Sequence, residues 1–338
     1  MPVDFLVGAT HFLDHVYPIA RAIPAAERGA IYLVRGASHA HSVEAMTEHA
    51  RRCRMKGCEG LEWREARRKL VAQKGPLVVA SATDAAMAAN LGRPVVYCEH
   101  GAGQTYGGSH PSYAGGRGRR GVVLFLCPNE AVAERNREAY PKVRVAIVGC
   151  PKLDRWHKAP AKPQQSPPVL AVAFHWDCRV CPETRWAFPY YREGLSSLLS
   201  IGPVLGHGHP RIWSRLRHLY PSLGIEPVED FEDVLERADL YMCDNSSTLF
   251  EFASVGRPVV VLNAPWYRRH IEHGLRFWEA ATVGVQVDHP AELRDAVMQA
   301  LEDPPEQQAA RQAAVRIAYT YTDGQASKRA AQEILELL

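Results

Sequence analysis

The sequence predicts an α/β protein built from two doubly wound, Rossmann-like domains that face each other across a cleft. Its 338 residues, 46% of them hydrophobic, are enough for two cores at roughly 150 residues per domain. Short β-branched runs alternate with helical stretches, a pattern typical of a parallel sheet covered by helices. The alternation stops at residues 157–168, which hold four prolines, and then restarts. This interruption predicts an exposed linker between the domains.

Each half contains its own series of predicted strands. In the first half they cover residues 5–7, 30–34, 77–80, 95–98, 122–127 and 143–148. In the second half they cover residues 169–174, 204–206, 240–243, 259–262 and 284–287. A closing helix over residues 325–338 carries Ala, Ile and Leu on one face, and it either completes the second domain or packs back on the first. The predicted domains therefore span residues 1–158 and 169–338, joined by a linker at 159–168.

Composition excludes several classes of protein. Lys plus Arg (40) against Asp plus Glu (37) gives a formal charge of +3, too small for a nucleic-acid coat protein. No apolar run approaches the roughly 20 residues of a membrane span, and the N-terminus lacks a signal-peptide profile. The eight cysteines are scattered along the chain, which predicts mostly free thiols. We expect a soluble, cytoplasmic protein.

Basic residues cluster in the first half. A solvated helix face is the usual explanation of such clusters, and an anionic acceptor or the inner membrane surface is the alternative. The clusters comprise Arg51, Arg52, Arg54 and Lys56; Arg67, Arg68 and Lys69; and Arg117, Arg119 and Arg120.

The segment 240–262 predicts a phosphate site. A strand ends at Cys243, a polar turn follows, and a helix begins there. Backbone N–H groups and hydroxyls at a helix N-terminus bind phosphate, and Glu251, one turn later, is placed for a ribose hydroxyl. The alternative is that a turn residue only caps the helix. The turn residues are Asp244, Asn245, Ser246, Ser247 and Thr248.

Two histidines follow predicted strands. His209 stands before Pro210, where an imidazole can donate to a phosphate oxygen or act as a general acid. His100 follows the predicted strand 95–98 and is itself followed by Gly101 and Gly103. Its imidazole is suited to take a proton from an acceptor hydroxyl. For His209 the alternative is an exposed histidine in an ordinary turn. For His100 the alternatives are a buried, hydrogen-bonded ring or a flexible glycine loop. Glu99 points to the opposite face of its strand and is not expected to orient His100.

Other candidates carry weaker signals. Cys178 and Cys181 form a single Cys-x-x-Cys pair without a second pair at zinc spacing, which favours an incidental origin. His11 and His15 lie at helical spacing after the first strand. This spacing is compatible with a structural role, a helix cap or a contact with the acceptor. The sequence contains no Asp-x-Asp pair. We therefore expect a site that uses neither a metal ion nor any other cofactor.

An ordered set of motifs resembles the CDP-glycerol glycerophosphotransferases of teichoic acid and capsule synthesis. The set runs through about two thirds of the chain and comprises residues 99–101, 149–154, 209–210, 244–251 and 323–329. The resemblance implies a fold similar to GT-B glycosyltransferases. After the strand 169–174 the family tends to show a Pro-Thr-x-Arg-like turn, where this chain has His175, Trp176, Asp177, Cys178 and Arg179.

The resemblance also implies roles. The first domain would hold the acceptor and the second the nucleotide-diphosphate donor. His100 looks like the acceptor base and His209 like a donor-phosphate contact. The donor cradle would comprise Ser246, Ser247, Thr248 and Glu251. Beyond the resemblance, the residues themselves suggest Asp244 and a cation, Arg179 or Arg211, as donor contacts, and His11, Gly101, Gln104 and Thr105 on the acceptor side.

The leading interpretation is transfer of glycerol phosphate, or a related alditol phosphate, to an acceptor hydroxyl with release of CMP. The acceptor would be a glycan, a lipid-linked or polyanionic polymer, or a nucleic acid. One alternative keeps the fold and moves a sugar from a nucleotide-sugar, and another is a UDP-N-acetylhexosamine 2-epimerase, whose Asp-Ser-Gly-Gly-like turn is absent from the sequence. A non-enzymatic binder of nucleotide-sugars or polyanions is the third.

Overall fold

The computed structural model describes residues 1–35, 41–102, 119–177, 182, 185–244, 246–267 and 282–338. It divides into two compact units. The first contains the described residues up to Ala159 together with Tyr319–Leu338, and the second runs from Pro160 to Ala318. The closing helix therefore lies in the first unit, and the Pro-rich segment from Pro160 onward lies in the second.

The first unit is built on a seven-stranded parallel sheet with the order β3-β2-β1-β4-β5-β6-β7. Its strands are β1 (Val3–Val7), β2 (Arg28–Leu33), β3 (Cys58–Gly60), β4 (Leu77–Val79), β5 (Val95–Cys98), β6 (Val122–Cys127) and β7 (Arg144–Ile147). The order reverses direction between β1 and β4, so the carboxyl ends of these two strands form the switch point at which doubly wound sheets bind ligands.

Helices cover both faces of this sheet. They are α1 (Thr10–Ala22), α2 (Val43–Arg52), α3 (Trp63–Val71), α4 (Ala82–Ala88), α5 (Glu130–Ala139) and α6 (Asp154–His157), with a 3-10 turn at Pro151–Leu153. Successive residues of β1 point to opposite faces: Phe5 packs in a core with α1 and the closing helix, and Leu6 packs in a second core with α3 and α4.

The second unit repeats this plan with six parallel strands in the order β10-β9-β8-β11-β12-β13. They are β8 (Leu170–Phe174), β9 (Val204–Gly208), β10 (Glu226–Pro227), β11 (Leu240–Cys243), β12 (Val259–Leu262) and β13 (Val285–Val287). Its helices are α7 (Phe188–Tyr191), α8 (Pro210–Leu219), α9 (Phe231–Arg237), α10 (Thr248–Ala253), α11 (Leu293–Glu302) and α12 (Pro305–Ala318). The switch point here lies between β8 and β11.

The predicted fold class, α/β with two parallel sheets, is confirmed, and each predicted strand is present. Two edge strands were missed, β3 and β10. β3 is three residues long and ends in a glycine, and β10 is a two-residue strand that includes Pro227. Neither has the apolar run that identifies a strand in sequence, and none of their residues is buried.

The predicted linker is fastened to the second unit. Lys162 Nζ donates to the Arg237 carbonyl at 2.6 Å and lies 3.4 Å from a carboxylate oxygen of Asp239. The other Asp239 oxygen accepts from the backbone N–H of Val169 at 2.7 Å. These contacts hold the segment along the unit, while most of its residues remain exposed, as predicted.

The closing helix, α13 (Ala326–Leu335), is held by Asp154 from a distant part of the chain. The Asp154 carboxylate accepts from the backbone N–H of Ala326 at 2.9 Å and of Ser327 at 2.8 Å, and from the Ser327 hydroxyl. Gly324 has φ +68° and packs against the Asp154 carbonyl so closely that a Cβ would lie 2.7 Å from it. The motifs at 149–154 and 323–329 thus meet in one clasp.

Surface features change some expectations. Arg119 was expected in an exposed basic cluster, but it is buried, with its guanidinium 3.5 Å from the centre of the Tyr97 ring. Arg51 and Lys69 are paired with Glu48 and Glu59. No helix within the described ranges has the length and hydropathy of a membrane span.

The cysteines of the described ranges are free thiols, as predicted: Cys53, Cys58, Cys98, Cys127, Cys150 and Cys243. Burial raises the pKa of Cys98 to about 12 and that of Cys58 to about 11. These thiols are therefore protonated and unreactive at neutral pH. Cys178 and Cys181 lie outside the described residues.

Candidate functional site

His100 lies at the carboxyl edge of the first sheet, two residues after β5. Its side chain is exposed, and its Nδ1 is 2.9 Å from the carbonyl oxygen of Ala80, the residue that follows β4. A carbonyl oxygen only accepts hydrogen bonds, so Nδ1 carries the proton and, in the neutral ring, Nε2 keeps the lone pair. Main-chain geometry thus places His100 in the tautomer of a proton acceptor.

The start of α1 brings further rings to His100. The Phe12 ring lies 4.8 Å from it, and the His11 and His15 rings lie 6.3 Å from it, centre to centre. Since α1 follows β1, the groups around His100 come from the segments that follow β1 and β4, and His100 itself follows their neighbour β5. This cluster of rings surrounds His100 at the switch point.

His41 also joins this edge. Its Nδ1 accepts from the backbone N–H of Thr10 at 3.2 Å, and its ring lies 6.4 Å from that of His11. The sequence analysis missed His41, because no periodicity or strand end marks its position. The one available signal was its polar neighbourhood before α2, which is too common to be specific.

His15 is buried beneath the His100 turn. Its Nε2 accepts from the backbone N–H of Gly101 at 3.3 Å, and its Nδ1 lies 3.8 Å from Cys150 Sγ. Burial holds the pKa of His15 well below its usual value, and Lys152, His100 and His11 lower it further. The ring is therefore neutral at physiological pH.

Glu99 does not orient His100, as expected. It is buried, and its Oε1 accepts from Asn136 Nδ2 at 3.2 Å. The group that orients the imidazole is instead the Ala80 carbonyl. A backbone partner of this kind is invisible to motif reasoning.

In the second unit, Asp244 spans the switch point. Its Oδ1 accepts from the backbone N–H of His175, which follows β8, at 2.7 Å. Its Oδ2 accepts from the backbone N–H of Ala187 at 3.0 Å. Both oxygens therefore hold main chain, and a carboxylate repels a phosphate. Asp244 thus shapes the loop, and its predicted contact with the donor stays a prediction.

The hydroxyls of the polar turn form a chain. Tyr241 Oη lies 2.8 Å from Thr248 Oγ1, which lies 2.9 Å from Ser246 Oγ. Ser246 Oγ also accepts weakly from the Thr248 N–H, at 3.4 Å, whereas Ser247 makes no side-chain cap. Helix capping thus accounts in part for the presence of a hydroxyl at Ser246, but it does not account for the hydroxyl of Ser247.

Two features weaken the predicted nucleotide pocket. Helix α10 has only six residues, so its dipole is small. Glu251, the predicted ribose contact, is 2% exposed, which leaves little of it for a ligand to reach. The three hydroxyls are half-buried and remain the best-placed donors of this turn: Ser246, Ser247 and Thr248.

His209 lies one residue after β9 and caps helix α8. Its Nδ1 accepts from the backbone N–H of Arg211 at 3.2 Å. Because a backbone N–H only donates, Nδ1 must carry the lone pair and Nε2 the proton. His209 is thus fixed in the tautomer that donates from Nε2, as a phosphate contact requires.

An aromatic group surrounds His209. The rings of His175 and Trp176 lie 5.3 Å and 5.8 Å from it, and the Arg211 guanidinium lies 4.3 Å from the centre of the Trp176 ring. A cation over an indole face is held in place electrostatically. Trp176 therefore positions Arg211, the predicted cation, beside His209.

Other predicted residues lie outside the described part of the chain. These are Gln104 and Thr105 on the acceptor side, Arg179 among the donor contacts, and Asn245 in the polar turn.

Two Rossmann-like units, each with histidine chemistry at the carboxyl edge of a 3-2-1-4-5-6 type sheet, define a GT-B-like protein. Residues 204–336 match the sequence profile of the family described as CDP-Glycerol:Poly(glycerophosphate) glycerophosphotransferase. This segment includes His209, Arg211 and the polar turn at 244–251. The resemblance inferred from the motifs is confirmed over this range, and it indicates that the chain is a transferase.

Solved structures share the whole fold. The wall teichoic acid polymerase TagF is similar with a TM-score of 0.65 at 14% identity, covering 99% of this chain and 88% of its own. The UDP-GlcNAc 2-epimerases of Neisseria meningitidis and Methanocaldococcus jannaschii give TM-scores of 0.63 and 0.65 at 14% identity, covering 99% of this chain and 100% of theirs. Among curated proteins, no sequence matches significantly. At such identities these structures establish the fold alone.

Proposed function

We propose that the protein transfers glycerol phosphate, or a related alditol phosphate, from a CDP-alditol donor to an acceptor hydroxyl and releases CMP. One observation carries this proposal: main-chain partners leave a lone pair on Nε2 of neutral His100 and a proton on Nε2 of His209, which suits the first to accept a proton and the second to donate a hydrogen bond. The family match over residues 204–336 and the solved TagF variant soaked with CDPG support the choice of donor.

The chemistry assigns one task to each histidine. The acceptor oxygen attacks the β-phosphorus of the donor while its proton passes to His100 Nε2. The bond between the β-phosphorus and the bridging oxygen breaks, and CMP leaves with that oxygen. The Nε2–H of His209 and the guanidinium of Arg211 stabilise the negative charge on the leaving phosphate.

The hydroxyls of the polar turn would hold the diphosphate. Ser246 and Thr248 already share a hydrogen-bond chain with Tyr241, so their oxygens are oriented before a ligand arrives, which lowers the entropic cost of binding. Ser247 adds a hydroxyl that makes no cap of its own.

On the acceptor side, the ring cluster around His100 favours a hydroxyl carried by a phosphate-bearing or polyol polymer of the teichoic or capsular type. His11 and His41 lie within ring contact of one another. A neutral imidazole donates one hydrogen bond and accepts another, which suits polyol hydroxyls. Contact of the polymer with the basic helices α2 and α3 is part of the same proposal.

The decisive experiment is a donor panel. The protein is incubated with CDP-glycerol, CDP-ribitol, UDP-sugars and GDP-sugars, with and without EDTA, and the products are identified by mass spectrometry. We expect CMP from a CDP-alditol at the same rate with and without the chelator, because the proposed acid–base groups are side chains. Release of a nucleoside diphosphate would indicate sugar transfer instead, and turnover of free UDP-GlcNAc to its epimer would indicate an epimerase.

A further inference from the structure

We infer that His15 is a positioning residue for the catalytic turn, holding the His100–Gly101 peptide by accepting the Gly101 N–H on Nε2. The inference rests on the proposed role of His100 as the base. It concerns a buried side chain that the reaction itself does not use.

The turn needs such a support. His100 is exposed at the end of β5, and Gly101 follows it with φ +60°, a left-handed conformation that glycine adopts without strain but that glycine alone does not enforce. The Gly101 N–H is buried and requires an acceptor. His15 Nε2 supplies it at 3.3 Å. Together with the Ala80 carbonyl on His100 Nδ1, this fixes the turn from two sides.

The His15 ring is itself held in the tautomer that accepts. Its Nδ1 faces Cys150 Sγ at 3.8 Å, and the thiol is a weak acceptor, so Nδ1 can carry the proton while Nε2 keeps the lone pair. Besides the Cys150 thiol, the titratable groups that act on the ring are Lys152, His100 and His11. All are neutral or positive, so they disfavour a second proton, and His15 stays an acceptor.

Three segments of the chain meet at this ring. His15 comes from α1, Gly101 from the turn after β5, and Cys150 from the segment that follows β7. Two of these carry motifs that lie far apart in the sequence, 99–101 and 149–154. The ring connects them.

The test compares substitutions that keep or remove the acceptor. A glutamine places an amide oxygen near the position of Nε2, whereas an asparagine reaches only the position of Nδ1. We expect His15→Gln to retain at least a third of the wild-type kcat, and His15→Asn and His15→Leu to lose 10-fold to 100-fold in kcat, with the KM for the donor unchanged in all three. Amide exchange at Gly101 should quicken at least tenfold in the Asn and Leu variants only.

The readouts separate two kinds of failure. If the wild-type protein shows no transfer from any CDP-alditol, the proposed function fails, but Gly101 exchange and the NMR tautomer signal of His100 still test the role of His15. Equal Gly101 exchange in the Gln and Asn variants would overturn the inference. So would an equal kcat in these two variants, and so would a loss in KM rather than kcat. Should His15→Leu fail to fold, the Gln and Asn pair retains the comparison.

Discussion

The two histidine sites show how main-chain partners hold the same side chain in opposite tautomers. His100 faces a carbonyl from the neighbouring strand, and His209 faces an N–H of the helix that it caps. The first partner leaves the lone pair on Nε2, and the second leaves the proton there. The difference teaches that the tautomer of an imidazole follows from the main-chain group beside Nδ1, not from the motif in which the histidine stands.

The sharpest way to break the comparison is to replace His100 by asparagine. Asparagine keeps an N–H donor near the position of Nδ1 for the Ala80 carbonyl but has no base near Nε2. We expect kcat to fall by about 10²-fold to 10⁴-fold, the range of a positioned general base, while calorimetric donor affinity stays the same. A loss below tenfold would remove His100 from the role of base.

The same substitution at His209 should act differently. In His209→Asn the side-chain oxygen still accepts from the Arg211 N–H, since asparagine is a good helix cap, but the Nε2–H donor is lost. A hydrogen bond to a charged group contributes about 1.5–3 kcal/mol, so we expect a decrease of roughly 10-fold to 150-fold in kcat/KM. The effect should appear in pre-steady-state CMP release, and an unchanged rate would contradict the donor role.

The first unit should also be more sensitive to acid because of His15. Its folded pKa lies well below 6.5, so the unfolded chain binds the proton first. The free energy of unfolding should therefore fall as pH drops from about 6.5 towards the folded pKa, at up to about 1.4 kcal/mol per pH unit, and be independent of this group above that window. Burial also lowers the pKa of His157 in this unit, so the measurement is a difference: denaturant titrations of wild type and His15→Gln. If the free energy of unfolding has the same pH dependence in the wild type and in His15→Gln, the lowered pKa does not belong to His15.

The smallest expected effect concerns Trp176. Its loss in Trp176→Ala removes the surface under Arg211, a contact of about 0.5–2 kcal/mol, so KM for the donor should rise about 2-fold to 30-fold. Trp176→Phe keeps an aromatic face, so its KM for the donor should lie between those of the wild type and of Trp176→Ala. Donor titration monitored by calorimetry measures both, and identical affinities would show that Arg211 is held by other contacts.

The sequence allowed the fold to be predicted well because its signals are local. Buried strands such as β6 and β11 are short apolar runs, and their alternation with helices implies parallel pairing. The edge strands β3 and β10 were missed because little side-chain burial defines them.

The site was only partly predictable. His100 and His209 are marked by strand ends and neighbouring Gly or Pro, but their tautomers depend on Ala80 and Arg211 main-chain groups, which no side-chain pattern records. The loop-shaping role of Asp244 could not be predicted, because a carboxylate in a polar turn has the same sequence signature whether it shapes the loop or contacts a ligand. His15 gains its partners from segments about 86 and 135 positions away, and such contacts exist only once the sheet has formed.

The clasp between Asp154 and the start of α13 has a consequence for synthesis and for engineering. The second unit is translated in full before Ala326 and Ser327 are synthesised. The first unit therefore lacks its last helix while the second unit can already fold. Until then, the α1 face that packs against Ala330 and Ile334 is exposed to solvent. A C-terminal truncation or fusion would thus disturb the unit that begins at the other end of the chain.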